Sequence, residues 1–180
     1  MNGPELWFLN RATGVVLLVL MTLSVVLGIL SARSRVGRGT PGFVRGVVHR
    51  NVAVLSMAML TVHVVSAVVD TYVDIRWWDA FVPWGGLYQP VWLGLGALAL
   101  DLTVAIAITS ALRTRMPRAL WRVIHLASYA AWAIAMVHGL GIGTDRAAGW
   151  SLVVTGLCIA AVVVAGTVRV GGAVVRAVRA

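Results

Sequence analysis

The sequence predicts an all-α membrane protein, a five-transmembrane-helix bundle with its N-terminus outside and its C-terminus cytoplasmic. Three observations carry this reading. First, apolar residues fill 60% of the 180 positions and the mean hydropathy is +0.92, whereas soluble domains hold about 45–50% even with glycine included. Second, charged residues are only 12%, about half the usual share. Third, the apolar residues form five continuous runs, each near the ~20 residues a helix needs to cross a bilayer. This composition excludes a disordered chain, which needs low hydrophobicity and high charge. Continuous runs also speak against the alternating pattern of a membrane β-barrel.

The first run extends from about Thr13 to Leu30. Its basic cluster, Arg33, Arg35 and Arg38, follows the run instead of preceding it. That order is the reverse of a cleaved signal peptide, so the run reads as a retained helix. The second run spans Val48 to Val69, the third Val91 to Leu112, the fourth Leu120 to Leu140 and the fifth Trp150 to Val168. The longest connection, Asp70 to Pro90, carries Trp77-Trp78, Pro83-Trp84-Gly85-Gly86 and Pro90. It reads as an interfacial cap over the bundle. Residues 1–170 thus form one transmembrane domain, and 171–180 a short basic cytoplasmic tail. No fixed-period repeat, GxGxxG or phosphate-binding loop is present. The stretch Gly139 to Gly143 is a turn after a helix, far from any strand. Cys158 stands alone, with no partner for a disulfide or a CxxC motif.

Charge orients the bundle. The formal net charge is +9, and all fifteen basic residues are arginine. Twelve of the fifteen fall in alternate connections: Arg33, Arg35, Arg38, Arg45 and Arg50, then Arg113, Arg115, Arg118 and Arg122, then Arg169, Arg176 and Arg179. The other side holds Glu5, Asp70, Asp74, Asp79 and Asp145, with only Arg11, Arg76 and Arg146. The positive-inside rule makes the arginine-rich side cytoplasmic. A basic balance in so apolar a chain points to a multi-pass protein of the cell (inner or plasma) membrane, in contact with the lipid bilayer and not with nucleic acid. Trp7, Trp77, Trp78, Trp84, Trp92 and Trp150 fall near the outer interface and Trp121 near the inner one, as aromatic belts do.

The chain has four histidines, His49, His63, His125 and His138, all on the second and fourth runs. Ionisable side chains inside membranes are costly and mark function. His49 and His63 are 14 residues apart, and His125 and His138 are 13 apart, which is ~20 Å at the helical rise. The two helices run in the same direction. His49 therefore matches His125 in depth near the arginine-rich side, and His63 matches His138 in the outer half. Two facing histidines at one depth suit both axial positions of a haem iron. Structural zinc needs four converging ligands, which positions ~20 Å apart cannot supply. On an ideal helix His49 and His63 share a face, while His125 and His138 lie about 220° apart. Local 3₁₀ tightening, helix tilt or off-centre haems would each accommodate that offset.

These residues, with the stretches Asn10-Arg11-Ala12-Thr13-Gly14, His49-Arg50-Asn51 and His138-Gly139-Leu140-Gly141, resemble the ferric reductase-like transmembrane domain family. That family is shared with NADPH oxidases and the haem subunit of bacterial methionine sulfoxide reductase systems; the chain looks like its small actinobacterial members. The resemblance covers about residues 7–170. It implies two b-type haems held by His49 with His125 and His63 with His138. It also implies electron transfer from a cytoplasmic flavin reductase or reduced flavin to an outer-face acceptor, the FAD or FMN residing on the partner. Family cores are usually built on six helices, against five counted here, and no flavin or nicotinamide domain follows the last one. The expected role is thus an oxidoreductase electron-transfer subunit, a membrane di-haem b-type cytochrome. A haem-free interaction or assembly subunit, its histidines only hydrogen-bonded, is the alternative.

Haem propionates attract arginine. Arg50 and Arg122 lie close to the inner histidine pair, and Arg11 to the outer one, so all three are candidate cofactor-binding residues. Asp101 is the single acid inside a run and reads as bonded to a neighbouring helix. Trp132 and Tyr129 read as bundle core.

Overall fold

In the computed structural model, residues 4–31, 42–145 and 147–178 are described. Arg33, Arg35, Arg38, Arg146 and Arg179 lie outside the described residues. The chain forms α1 (Pro4–Ser31), α2 (Gly42–Val69), a short 3₁₀ turn (Trp77–Ala80), α3 (Pro90–Ala111), α4 (Arg118–Leu126), α5 (Ser128–Ile142) and α6 (Gly149–Val178). Among the described residues there is no strand. Valine and isoleucine are modest helix formers in water. Where water is excluded, the backbone must satisfy its own hydrogen bonds, and a long apolar run does so as a helix. Proline punctuates the starts: Pro90 occupies the first turn of α3, and Pro117 directly precedes α4.

Among the described residues, five segments are long and apolar enough to cross a membrane: Glu5–Ser31, Phe43–Val69, Pro90–Ala111, Arg118–Ile142 and Gly149–Gly171. Each contains or closely matches one of the five runs. Two details differ from the sequence reading. The stretch from residue 171, read as a tail, continues α6 to Val178. The fourth run is not one helix. It is interrupted at Ala127, whose ψ is −11° and whose amide bonds to the carbonyl of Ile124, an i→i−3 closure. Regular α-helical bonding resumes with the Ala131 amide on the Ala127 carbonyl.

Helix α1 is the centre of the packing; it lies along α2 and also meets α5 and α6, while α3 packs on α5 and α4. One apolar cluster joins Leu17, Leu60 and Leu100 with Ala80 of the 3₁₀ turn. A second joins Val25 and Ile29 of α1 to Ala165 of α6, with Trp132 against it. Between them the Trp132 indole donates to Thr22 Oγ1 at 2.9 Å, tying α5 to α1. Close approaches use glycine: a Cβ on Gly94 would lie 2.7 Å from the Trp84 amide nitrogen, and one on Gly141 would enter the Trp92 ring. The outward faces of α2 and α6 are apolar, with Val54, Leu55, Leu157 and Val164 exposed.

The connection between α2 and α3 is closed by Asp79, which is 1% exposed. Its carboxylate accepts from the Arg76 amide at 2.9 Å and from the Arg76 guanidinium at 3.2 and 3.3 Å. The Arg76 guanidinium in turn lies over the Trp78 ring. The bond from the Arg76 backbone, then that from its side chain, holds the Asp79 carboxyl below the usual aspartate value. A depressed acid stabilises the fold fully above its unfolded pKa of about 4 and loses that contribution as pH falls through the folded value. Fluorescence of Trp77, Trp78 and Trp84 should therefore be constant from neutral pH down to about 5 and change below about 4. In Asp79→Asn the altered signal should already be present at pH 7. An unchanged signal in that variant would show that the carboxylate does not close the cap.

Candidate functional site

The four histidines come together as two pairs. The His49 and His125 ring centres are 6.2 Å apart with their planes at 79°. His63 and His138 line one cavity of about 760 Å³ at the tryptophan-rich end of the bundle. In α2 the two positions are 14 residues apart, about 21 Å along one helix. Between His125 and His138 the break at Ala127 separates two helices. Phase arithmetic for one ideal helix therefore does not apply: His125 faces His49, and His138 lines the same cavity as His63.

Each imidazole is anchored through Nδ1. His49 Nδ1 lies 3.0 Å from the Ser24 carbonyl, His63 Nδ1 3.0 Å from the Asn10 carbonyl, and His138 Nδ1 2.7 Å from the Trp92 carbonyl. A carbonyl only accepts, so in these three rings Nδ1 carries the proton. In the neutral ring Nε2 is then the nitrogen with a free lone pair, the form in which imidazole binds a metal. His125 differs: its Nδ1 faces the Ser110 hydroxyl at 3.4 Å, and its ring stacks on Trp121 with centres 4.9 Å apart. His63 is held twice, because the Asn10 side-chain amide donates to the His63 carbonyl at 2.7 Å.

A helical carbonyl is already bonded to the amide four residues on, and the side chain at that position covers it. Here that position is glycine each time: Gly28 after Ser24, Gly14 after Asn10, Gly96 after Trp92. A Cβ on Gly14 would lie 3.1 Å from His63 Cε1, one on Gly96 2.6 Å from His138 Cε1, and one on Gly28 3.7 Å from His49 Cε1. Gly14 and Gly96 open lateral windows through which a neighbouring histidine reaches a carbonyl; at Gly28 the window is wider, and a Cβ would make only ordinary contact with the ring. Gly14 and Gly28 are 14 residues apart on α1, the interval of His49 and His63 on the antiparallel α2. Gly28, Gly96, Ser24 and Trp92 were not among the candidate residues, although the matched interval is visible in the sequence.

The cavity around His63 and His138 is lined chiefly by apolar side chains, among them Leu17, Leu100 and Met136. Arg11 and Asp145 also line it and form an ion pair, with the Arg11 guanidinium 4.1 Å over the Trp7 ring. Arg50 and Arg122 are exposed, as is Tyr129, while Asp101 is partly buried. Trp132 lies between the two histidine levels of its segment and is bonded to Thr22. Among the described residues no three or more His, Cys, Asp or Glu converge on one point.

The window geometry makes a graded prediction. Nitrogen-15 NMR of labelled imidazole should find the Nδ1–H form at His49, His63 and His138. Gly96→Ala should displace the His138 ring and cost stability, Gly14→Ala should do so less, and Gly28→Ala should be nearly silent. Equal behaviour of all three variants would contradict the window account.

A family described as a domain of unknown function (DUF8596) matches residues 5–145. No curated protein and no solved structure matches the chain. The matched segment runs from Glu5 to Asp145 and includes all four histidines, the three window glycines and the Arg11–Asp145 pair. On that match, over most of its length and across the whole candidate site, the chain belongs to the DUF8596 family.

Proposed function

We propose that this protein is a membrane cytochrome that holds two b-type haems, each between two histidines, and carries electrons across the bilayer. The observation that carries the reading is the set of carbonyl-anchored rings. Three of four histidines have the proton fixed on Nδ1 and the lone pair on Nε2. Anchoring the distal nitrogen to a carbonyl is the usual outer support of a metal-bound histidine; it fixes ring orientation and raises ligand basicity. The spacing of the arginine-end pair agrees. With ring centres 6.2 Å apart, His49 and His125 would leave room for one metal ion between them. At the other pair, a cavity of about 760 Å³ is within the ~300–1,000 Å³ range of cofactor sites.

When bound, haem supplies reversible one-electron chemistry at iron. The chain's own part is to ligate, orient and shield. His49 with His125 and His63 with His138 would be the ligands, and the carbonyls of Ser24, Asn10 and Trp92 orient three of them. The lining is chiefly apolar, and Arg11 pairs with Asp145 among the lining residues. Twelve of fifteen arginines mark the end that holds His49 and His125, so that end is cytoplasmic and the N-terminus lies outside. The resemblance to ferric reductase-like domains supplies the direction: a cytoplasmic flavin reductase or reduced flavin as donor, and an acceptor at the outer face.

Reduced-minus-oxidised absorption spectra of full-length protein and single variants test this reading. Wild type should give the α and Soret bands of six-coordinate b-type haem. His63→Ala or His138→Ala should lose about half of the signal and keep reduction by the cytoplasmic donor. His49→Ala or His125→Ala should lose the other half, and donor-driven reduction with it, while dithionite still reduces what remains. A spectrum without haem bands would support the haem-free subunit instead. Orientation is checked separately: a reporter fused at Ala180 should be active only in the cytoplasm, and activity only outside would reverse the assigned faces.

A further inference from the structure

Among the described residues, three buried polar side-chain atoms have no hydrogen-bond partner: Ser31 Oγ, Arg45 Nε and Trp121 Nε1. Buried donors are paired in the large majority of cases, so each orphan asks for a physical reason. These three are not scattered. Arg45 is one turn before His49 in α2, Trp121 is one turn before His125 in α4, and Ser31 is three residues after Gly28, the glycine beside the His49 ring. Residues three or four apart on a helix share a face. Because α1 runs opposite to α2 and α4, all three flank the His49–His125 pair on the side away from the second pair. Trp121 is further fixed by its stacking on His125.

The chemistry of the trio is one-sided. The guanidinium and the indole can only donate, and a serine hydroxyl can donate as well. One of the three is permanently charged. None of the six acids of the chain is at this end: Glu5, Asp70, Asp74, Asp79 and Asp145 belong to the opposite end, and Asp101 lies within α3. Three donors with a positive charge and no protein acceptor call for an oxyanion from outside the chain. We propose that Arg45, Trp121 and Ser31 form a carboxylate site for the propionates of the haem held by His49 and His125. This rests on the haem reading above. It assigns the role to Arg45 rather than to Arg50 and Arg122, which are exposed and free to meet lipid headgroups or solvent. Arginine suits the task because its donors match a carboxylate in a fixed fork.

The test uses haem b and its dimethyl ester, in which both carboxylates are blocked. Full-length protein with His63→Ala, which leaves only the arginine-end site, is titrated with each in detergent. The free acid should bind roughly 10-fold or more tightly than the ester, the loss expected for charge-assisted hydrogen bonds. Adding Arg45→Gln should abolish most of that preference while the bound form keeps a bis-histidine spectrum. Adding Trp121→Phe instead should reduce it and provides a second variant should the first not fold. Haem bound with an undiminished preference in both variants overturns the inference and leaves the haem reading intact. Equal binding of acid and ester, together with loss of co-purifying lipid phosphorus in Arg45→Gln, overturns it in favour of a lipid phosphate. No haem bound to any form, wild type included, overturns both.

Discussion

A neutral imidazole among apolar helices has one N–H that must find an acceptor, and nearly every acceptor there is a backbone carbonyl already in use. This constraint organises the molecule. A helical carbonyl can take a second donor only from the side, and a side chain four residues on closes that approach. Glycine opens it at Gly14 and Gly96, and at Gly28 the approach is open with room for a Cβ. The histidine interval on α2 and the glycine interval on α1 match along two antiparallel helices, with glycine needed for access at Gly14. The same bonds settle the tautomer, because a carbonyl can accept only from Nδ1–H. What is left over is Nε2, unprotonated and available.

The rest of the bundle holds that arrangement in place. Helix α1 supplies two of the three windows, and it is also the helix that contacts α2, α5 and α6. Helix α3 supplies the third window and packs on α5, which carries His138. The break at Ala127 divides the segment carrying His125 and His138, so that each ring is set by its own short helix. The Trp132–Thr22 bond ties that segment to α1 between the two levels. At the tryptophan-rich end the Asp79–Arg76 clasp closes the connection that packs, through Ala80, on Leu17, Leu60 and Leu100. The two pairs are not equivalent. His125 takes a hydroxyl at 3.4 Å and a stacked indole where the others take carbonyls.

Much of this was readable in the sequence. Length and hydropathy alone marked the five segments to within a few residues at most ends, because crossing a bilayer is a requirement on run length. The depth pairing of the histidines followed from residue counting along helices of known rise. Helix phase did not follow, because counting assumed one ideal helix from Leu120 to Leu140. The interruption at Ala127 has no glycine or proline to announce it. The glycine windows were missed for a different reason. Glycine in an apolar helix commonly means close packing, and its role as access to a carbonyl shows only when the partner helix is aligned against it. Arg45 and Trp121 read from sequence as orientation and belt residues, not as cofactor-binding ones, because unmet hydrogen bonds are a property of the folded chain. Arg50 and Arg122 are nearer the histidines in sequence, yet they are exposed.

The central claim is that two histidine pairs each hold one haem, and the most direct measurement is stoichiometry. Full-length protein purified from membranes would be assayed by pyridine haemochrome against quantitative amino-acid analysis. The account predicts two b-type haems per chain. A value of one would mean that a pair is misassigned, and a chain purified intact with none would contradict the account.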